Sequence, residues 1–221
     1  MSTRRFLSRS EARAVYDRMG RAQDTQAVYE RPAVDALIAR AALEHAETLF
    51  EVGCGTGRVA ARCLRAHCPP ETRYRGVDLS PTIVEIARTR LRPFGARAEV
   101  RRSDGGFSFD VPPVSQDRVL ATYLVDLLPP ADIHRFLAAA HRLLRPTGRL
   151  CLAGLGWGTR PVGRLVARAW DAVHRVRPAW VGGCRPLDMG PFLDGDRWRV
   201  VHRSSVQAWG VPSAVVVATP R

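Results

Sequence analysis

Within this 221-residue chain, the run best equipped for chemistry is Glu51-Val52-Gly53-Cys54-Gly55-Thr56-Gly57-Arg58, with glycines at alternate positions between an apolar stretch and a helical one. Glycine tolerates the left-handed backbone of a tight turn. Lacking Cβ, it lets main-chain N–H groups approach a ligand beside the positive end of the following helix. That chemistry is the holding of a small polar molecule. An ordinary glycine-rich strand-to-helix turn uses the same residues. A dinucleotide-binding turn reads Gly-x-Gly-x-x-Gly with an acid about 20 residues further on. Here Arg58 stands in the third glycine's place and the strand itself carries an acid, Glu51. A nicotinamide-dependent oxidoreductase is therefore the weaker fit and stays as an alternative.

Acids recur with the successive apolar runs: Glu51 in the first, Asp78 closing Gly76-Val77-Asp78, and Asp104 in Ser103-Asp104-Gly105 after the third. Each alone is equally a solvated turn or a helix start. Placed at successive strand ends they describe one site, because open α/β sheets bind ligands outside the carboxyl ends of their strands. The histidines are scattered without HExxH or Cys/His ligand spacing, so no metal is expected. Cys54, Cys63, Cys68, Cys151 and Cys184 form an odd set without a CxxC unit, which argues against a disulfide scaffold or zinc ribbon.

These groups need elements to position them. Residues 48–52, 74–78, 98–101, 118–122 and 149–155 read as buried strands, and residues 58–67, 81–91 and 131–144 as helices between them. Ser80 before Pro81 is a helix-start signal, an N-cap followed by proline at the first helical position. Such alternation implies parallel strands joined by right-handed crossovers. Residues 198–202 and 214–218 are strand-like runs joined by 204–213, which predicts a terminal hairpin. The expected fold is α/β: a Rossmann-like, seven-stranded mixed sheet with helices on both faces and a C-terminal antiparallel hairpin.

The apolar fraction of 46% and charged fraction of 25% are those of a folded globular chain and exclude disorder. The formal charge is +13, and the chain has no lysine, so arginine supplies the whole basic set. Such charge attracts polyanions, nucleic acid or anionic membrane. An all-arginine, alanine-rich composition is equally the background of a GC-rich genome. A non-catalytic RNA- or membrane-binding module is thus a second alternative. No apolar run follows Arg4, Arg5 and Arg9, Glu11 and Asp17 argue against a transit peptide, and no stretch of 18 apolar residues occurs, so cytoplasm is the expected location.

At these motifs the sequence resembles the class I S-adenosylmethionine-dependent methyltransferases, especially the small-molecule group that includes the ubiquinone and menaquinone methyltransferases. The resemblance runs from about Glu51 to the terminal hairpin. It implies S-adenosyl-L-methionine as cofactor, its methionine part cradled by Gly53, Cys54, Gly55, Thr56 and Gly57, with Glu51 the acid beside that loop. Asp78 matches the carboxylate that grips the ribose hydroxyls, Leu79 the residue that packs on adenine, and Ser103, Asp104 and Gly105 the segment that meets the adenine amino group. The physical reason is that an ionised carboxylate only accepts hydrogen bonds. Thr122 and Asp126 depart from the pattern: many relatives carry Asn at the first and His at or next to the second. A histidine there serves as a base, whereas Asp126 positions a cation or hydroxyl, or simply starts a helix. The motifs expected of enzymes that methylate nucleic-acid bases are missing, which disfavours nucleic acid as acceptor despite the charge.

The resemblance also implies a division into an N-terminal helical lid, 1–45, and a class I methyltransferase domain, 46–221, with an amphipathic helix inserted near 160–177. Ala12, Val15, Tyr16, Met19 and Ala22 recur at helical spacing in the lid. Tyr16 and Tyr29 are candidates for closing over the sulfonium, or for packing the helix on the core. In the inserted helix Val162, Leu165, Val166, Ala169, Trp170, Val173 and Val176 form an apolar stripe, with Arg160, Arg164, Arg168 and Arg175 clustered opposite. It fits an anionic membrane surface, a cover over an apolar acceptor, or a surface helix packed on the domain. The expected activity is methyl transfer to a small or lipid-like acceptor, a quinone precursor or an amine headgroup.

Overall fold

The computed structural model describes residues 4–193 and 195–221. Its strands are β1 Thr48–Val52, β2 Arg73–Asp78, β3 Ala98–Arg102, β4 Gln116–Thr122, β5 Leu144–Leu155, β6 Trp198–Ala208 and β7 Val211–Pro220. They form one seven-stranded sheet in the order β3-β2-β1-β4-β5-β7-β6. Pairs from β3 to β5 are parallel, and β7 pairs antiparallel with both β5 and β6. The Rossmann-like mixed sheet and its closing hairpin are thus present. The hairpin is longer than its apolar runs suggested. Residues 204–208 and 211–213 are themselves paired, leaving only Trp209 and Gly210 as the turn.

The helices are α1 Arg9–Met19, α2 Ala27–Ala41, α3 Arg58–Ala66, α4 Pro81–Leu91, α5 Pro130–Leu143, α6 Pro161–Val176 and the single turn α7 Gly190–Leu193. Ser80 caps α4 by accepting from Ile83 N, and Ser8 caps α1 within a reciprocal capping box with Glu11. Strand alternation divides the core into two layers. Leu49, Leu120, Cys151 and Val217 pack against α2, α3 and α4. Phe50, Val119, Leu150 and Val216 pack against α5 and the segment around Leu187 and Met189. Ala33, Val34, Leu37 and Ile38 of α2 belong to the first layer, so the boundary at residue 45 falls after a core helix.

At the amino ends of the strands Asp117 accepts from Glu47 N at 3.0 Å and Thr48 N at 2.9 Å while Arg145 reaches its other oxygen at 2.8 Å. The buried Arg118 guanidinium donates to the carbonyls of Ala41 and Ala42, groups left over at the end of α2. These clamps fix β1, β4 and β5 at one end and leave the carboxyl ends to be shaped by loops. That is where the strand order reverses, beside β1, and where a crevice opens.

Candidate functional site

The turn after β1 forms with φ of +69°, +53° and +73° at Gly53, Gly55 and Gly57. Four of its N–H groups are spent within the protein. Gly53 N and Cys54 N both donate to Val77 O, at 2.8 and 3.0 Å, Gly55 N donates to Asp78 Oδ2 at 3.0 Å, and Gly57 N donates to Cys54 O at 3.1 Å. The turn is stitched to β2, and at Gly53 and Gly55 it offers the crevice a surface bare of side chains. At Gly55 an added Cβ would lie 3.2 Å from Gln23 Nε2, so that side chain crosses the turn at close range. At Gly57 it would meet Ala87 Cα at 3.3 Å, which lets α3 and α4 touch.

A cleft of about 1370 Å³, counting the open space at its mouth, joins these pieces. Gly53, Cys54, Gly55, Thr56, Asp78, Leu79, Ser103, Gly105 and Thr122 all line it, with Tyr16 on the opposite wall. Five predicted site residues do not. Glu51 shares the inner face of β1 with Leu49, is wholly buried, and accepts from Tyr74 Oη at 2.7 Å. Period-two alternation turned it under α3. Gly57 is one residue too far along and packs on α4. Asp104 is exposed and accepts from Gly106 N at 2.7 Å in a local turn. Tyr29 packs edge-on against Tyr123 and Trp170. Asp126 is fully buried, accepting from Leu155 N at 3.2 Å, and its carbonyl takes Arg185 Nη1 at 2.8 Å.

The cleft also holds residues the sequence reading passed over. Gln23, Asp24 and Glu30 come down from the segment before β1, and Tyr123 and Leu124 follow β4. Tyr123 has a φ of +53°, an unfavourable conformation for an aromatic residue, with its hydroxyl 2.7 Å from Ser213 Oγ. That backbone sets Leu124 over Gly53, whose added Cβ would meet Leu124 Cδ1 at 3.1 Å. Asp24 accepts from Thr56 Oγ1 and Arg90 Nη2, each at 2.5 Å, and so latches residues 20–26 onto the glycine turn. The only sequence signal for Asp24 and Glu30 was two acids in an arginine-rich segment.

Charge in the cleft is unevenly held. Burial lifts Glu30 to about 7 even though Arg58 Nη2, 2.5 Å away, pulls the other way. Burial also raises Asp78, opposed by the N–H groups of Ser80 and Gly55. For Asp24 the burial effect is outweighed by Arg90 and Thr56, and the carboxyl lies below its ordinary value. Asp126 is raised to about 6 by burial, with Leu155 N partly offsetting it. Tyr16 is pushed far above the ordinary phenol by burial, and its hydroxyl donates to Gly182 O at 3.3 Å. Gln23 Oε1 is buried without a hydrogen-bond partner among the described residues, an acceptor left open on the cleft side of the turn. Among the described residues no cluster of three or more His, Cys, Asp or Glu could hold a metal ion, and no helix is long and apolar enough to cross a membrane.

Residues 49–148 match the family described as methyltransferase domain. The chain is 30% identical over 146 residues to demethylmenaquinone methyltransferase of Tropheryma whipplei, covering 64% of this chain and 57% of that protein. It is 28% identical over 130 residues to the tRNA N(3)-methylcytidine methyltransferase Mettl2 of Drosophila melanogaster, covering 58% and 40%. The chain therefore spans between two fifths and three fifths of these relatives' lengths. Among solved structures, the (4+2)-cyclase SpnF superposes with a TM-score of 0.74 at 16% identity, covering 99% of this chain and 98% of that one. The tRNA enzyme among the relatives leaves the expectation against nucleic acid without support.

Proposed function

We propose, on the premise that residues 49–148 form a class I methyltransferase domain, that the chain binds S-adenosyl-L-methionine in this cleft and methylates a small or lipid-like acceptor. The observation that carries the reading is the convergence of the bare backbone at Gly53 and Gly55, the Asp78 carboxylate and the unsatisfied Gln23 Oε1 in one cleft. Each fits a different part of the cofactor. Asp78 spends one lone pair of each oxygen on Gly55 N and Ser80 N and keeps the others for ribose hydroxyls. Leu79 offers an apolar face to the base, and Ser103 and Gly105 line the same end. Gln23 Oε1 is placed to accept from the amino group of the methionine part, which the bare surface at Gly53 and Gly55 admits.

When bound, the cofactor supplies a methyl group on a sulfonium, already a strong electrophile. The protein's work is then positioning, exclusion of water and, for a hydroxyl or amine acceptor, removal of a proton. Tyr16 and Leu124 exclude water from above, and residues 4–26 act as the cover. Glu30, which lines the cleft and holds its proton near neutrality, is the group we assign to receive the acceptor's proton. Asp126 and Tyr29, buried behind the wall, position their neighbours instead. The likeness to a cyclase shows the fold alone, so binding must be separated from transfer.

The test is twofold: calorimetry with S-adenosylhomocysteine and with NAD, then transfer of labelled methyl from the cofactor to lysate fractions. Binding of the homocysteine product with label in a small-molecule or lipid fraction supports the reading, and a response to NAD alone defeats it. A second reading, a tRNA base as acceptor, is favoured by the Drosophila melanogaster relative and by the charge of +13. Label recovered in the RNA fraction would select it.

A further inference from the structure

Helix α6 packs the wrong way round for an ordinary surface helix. Its buried residues are Gly163, Ala167, Asp171 and His174. At 100° per residue Val162, Leu165, Ala169, Val173 and Val176 fall within about a quarter turn on the opposite side. Five of the seven apolar residues read from the sequence therefore face solvent, with Val162 60% exposed, Leu165 69% and Val176 76%, while Val166 and Trp170 are half-buried and Trp170 Nε1 donates to Cys184 O at 3.0 Å. The inner face is fitted for its role by other means. At Gly163 an added Cβ would lie 2.5 Å from Gln207 Oε1, so this side chain of β6 rests directly on the glycine, and Asp171 pairs with Arg4 and Arg175.

The stripe has aromatic neighbours. The β6–β7 turn abuts its start, since an added Cβ at Gly210 would be 3.5 Å from Val166 and 3.8 Å from Val162, and Trp209 in that turn is 84% exposed. Past its end, exposed Trp180 carries the Arg177 guanidinium 5.5 Å from its ring centre. Arg164, Arg168 and Arg175 run along one side of the stripe, all exposed.

We propose that α6 and the adjoining turn form a docking surface for an anionic lipid bilayer. The helix lies in the headgroup layer, with its aliphatic stripe inward and its arginines on lipid phosphates. An aliphatic centre, tryptophans at the margins and flanking arginines are what a helix in the bilayer interface requires. With 16 residues, α6 is about 24 Å long, suited to lying on a bilayer and too short to cross one. A second copy is a poor occupant, because each carries +13 and the stripe's arginines would face one another. RNA would engage the arginines but gain little from Val162, Leu165 and Val176, which offer no stacking face. The surface stands independently of the methyl-transfer reading.

The experiment is sedimentation of the full chain with vesicles of phosphatidylcholine, or of phosphatidylcholine and phosphatidylglycerol at three to one, in low and high salt. The wild type is expected to sediment with the anionic vesicles and to be released by salt. Leu165→Glu with Val176→Glu should weaken this at least 10-fold. Arg164→Gln, Arg168→Gln and Arg175→Gln together should weaken it roughly 100-fold at low salt. All these positions are exposed, and circular dichroism with S-adenosylhomocysteine calorimetry verifies that fold and cleft are unchanged. Equal binding to neutral vesicles, no binding to either, or variants that sediment like the wild type would overturn the proposal. So would capture by RNA or an acidic polypeptide without vesicle binding. None of those outcomes touches the assignment of the cleft.

Discussion

Three carboxyl groups separate the roles that acids play in this chain. Asp78 faces the cleft, and Asp78→Ala is expected to weaken S-adenosylhomocysteine binding by about 1.5–3 kcal/mol through the loss of charged hydrogen bonds, read by calorimetry. Glu30→Gln should lower the methyl-transfer rate by about 10²–10⁴ while leaving cofactor affinity nearly unchanged. The wild-type rate should climb through the Glu30 value of about 7 as its carboxyl ionises, and the variant's profile should be flat there. Glu51 is different, because burial raises it from 4.5 to about 8 with Tyr74 opposing. In acid both folded and unfolded chains hold its proton. As pH rises past 4.5 the unfolded chain ionises first, so the native state loses stability up to about 8. Glu51→Gln should flatten that decline in denaturant titrations run across the interval. The acid beside the glycines was legible as a residue type, but not its depth: Glu51 shares the buried face of β1 with Leu49, where Tyr74 Oη holds it at 2.7 Å, and the cleft begins only at the strand's last residue, Val52. Gln23 and Glu30 had no signature, since their place in the cleft depends on how the chain before β1 folds back.

Secondary elements were the most readable level. Apolar runs and the Ser80-Pro81 signal located four strands and three helices to within two residues, because burial on a parallel sheet leaves such continuous patterns, while β5 begins at Leu144, five residues before its apolar run. Two elements misled for physical reasons. The hairpin continues through half-exposed Ser204 to Gln207, where backbone pairing with β7 sustains a strand that lacks apolar content. Helix α6 has a clear apolar stripe, and periodicity alone cannot say which side meets the protein. The turn into α3 can be tested as an element. Gly57→Ala places a side chain at φ +73° and 3.3 Å from Ala87 Cα, and a loss of about 1–3 kcal/mol is expected. The melting temperature should fall by roughly 2–4 °C for each kcal/mol.

On the scale of the whole molecule, the sheet order puts β1 and β4 side by side with crossovers leaving in opposite directions, and this opens the crevice whatever ligand fills it. Ligand identity is a separate matter, and mass action tests it on the intact chain. S-adenosylhomocysteine at 100 times its Kd should stabilise the fold by about 2.7 kcal/mol, raising the melting temperature by about 5–10 °C, whereas NAD should leave it unmoved. The sequence alone carried the architecture and the part of the cleft lined by Gly53 to Thr56, Asp78, Leu79, Ser103 and Gly105, while the part lined by Gln23, Asp24, Glu30, Tyr123 and Leu124 emerged only in three dimensions. The bond from Asp24 to Thr56 and Arg90 has a kinetic corollary. Residues 20–26 are fastened over the glycine turn by a carboxylate and a guanidinium, so added salt is expected to quicken the release of S-adenosylhomocysteine, read by stopped-flow dissociation, and Asp24→Asn is expected to remove that salt dependence.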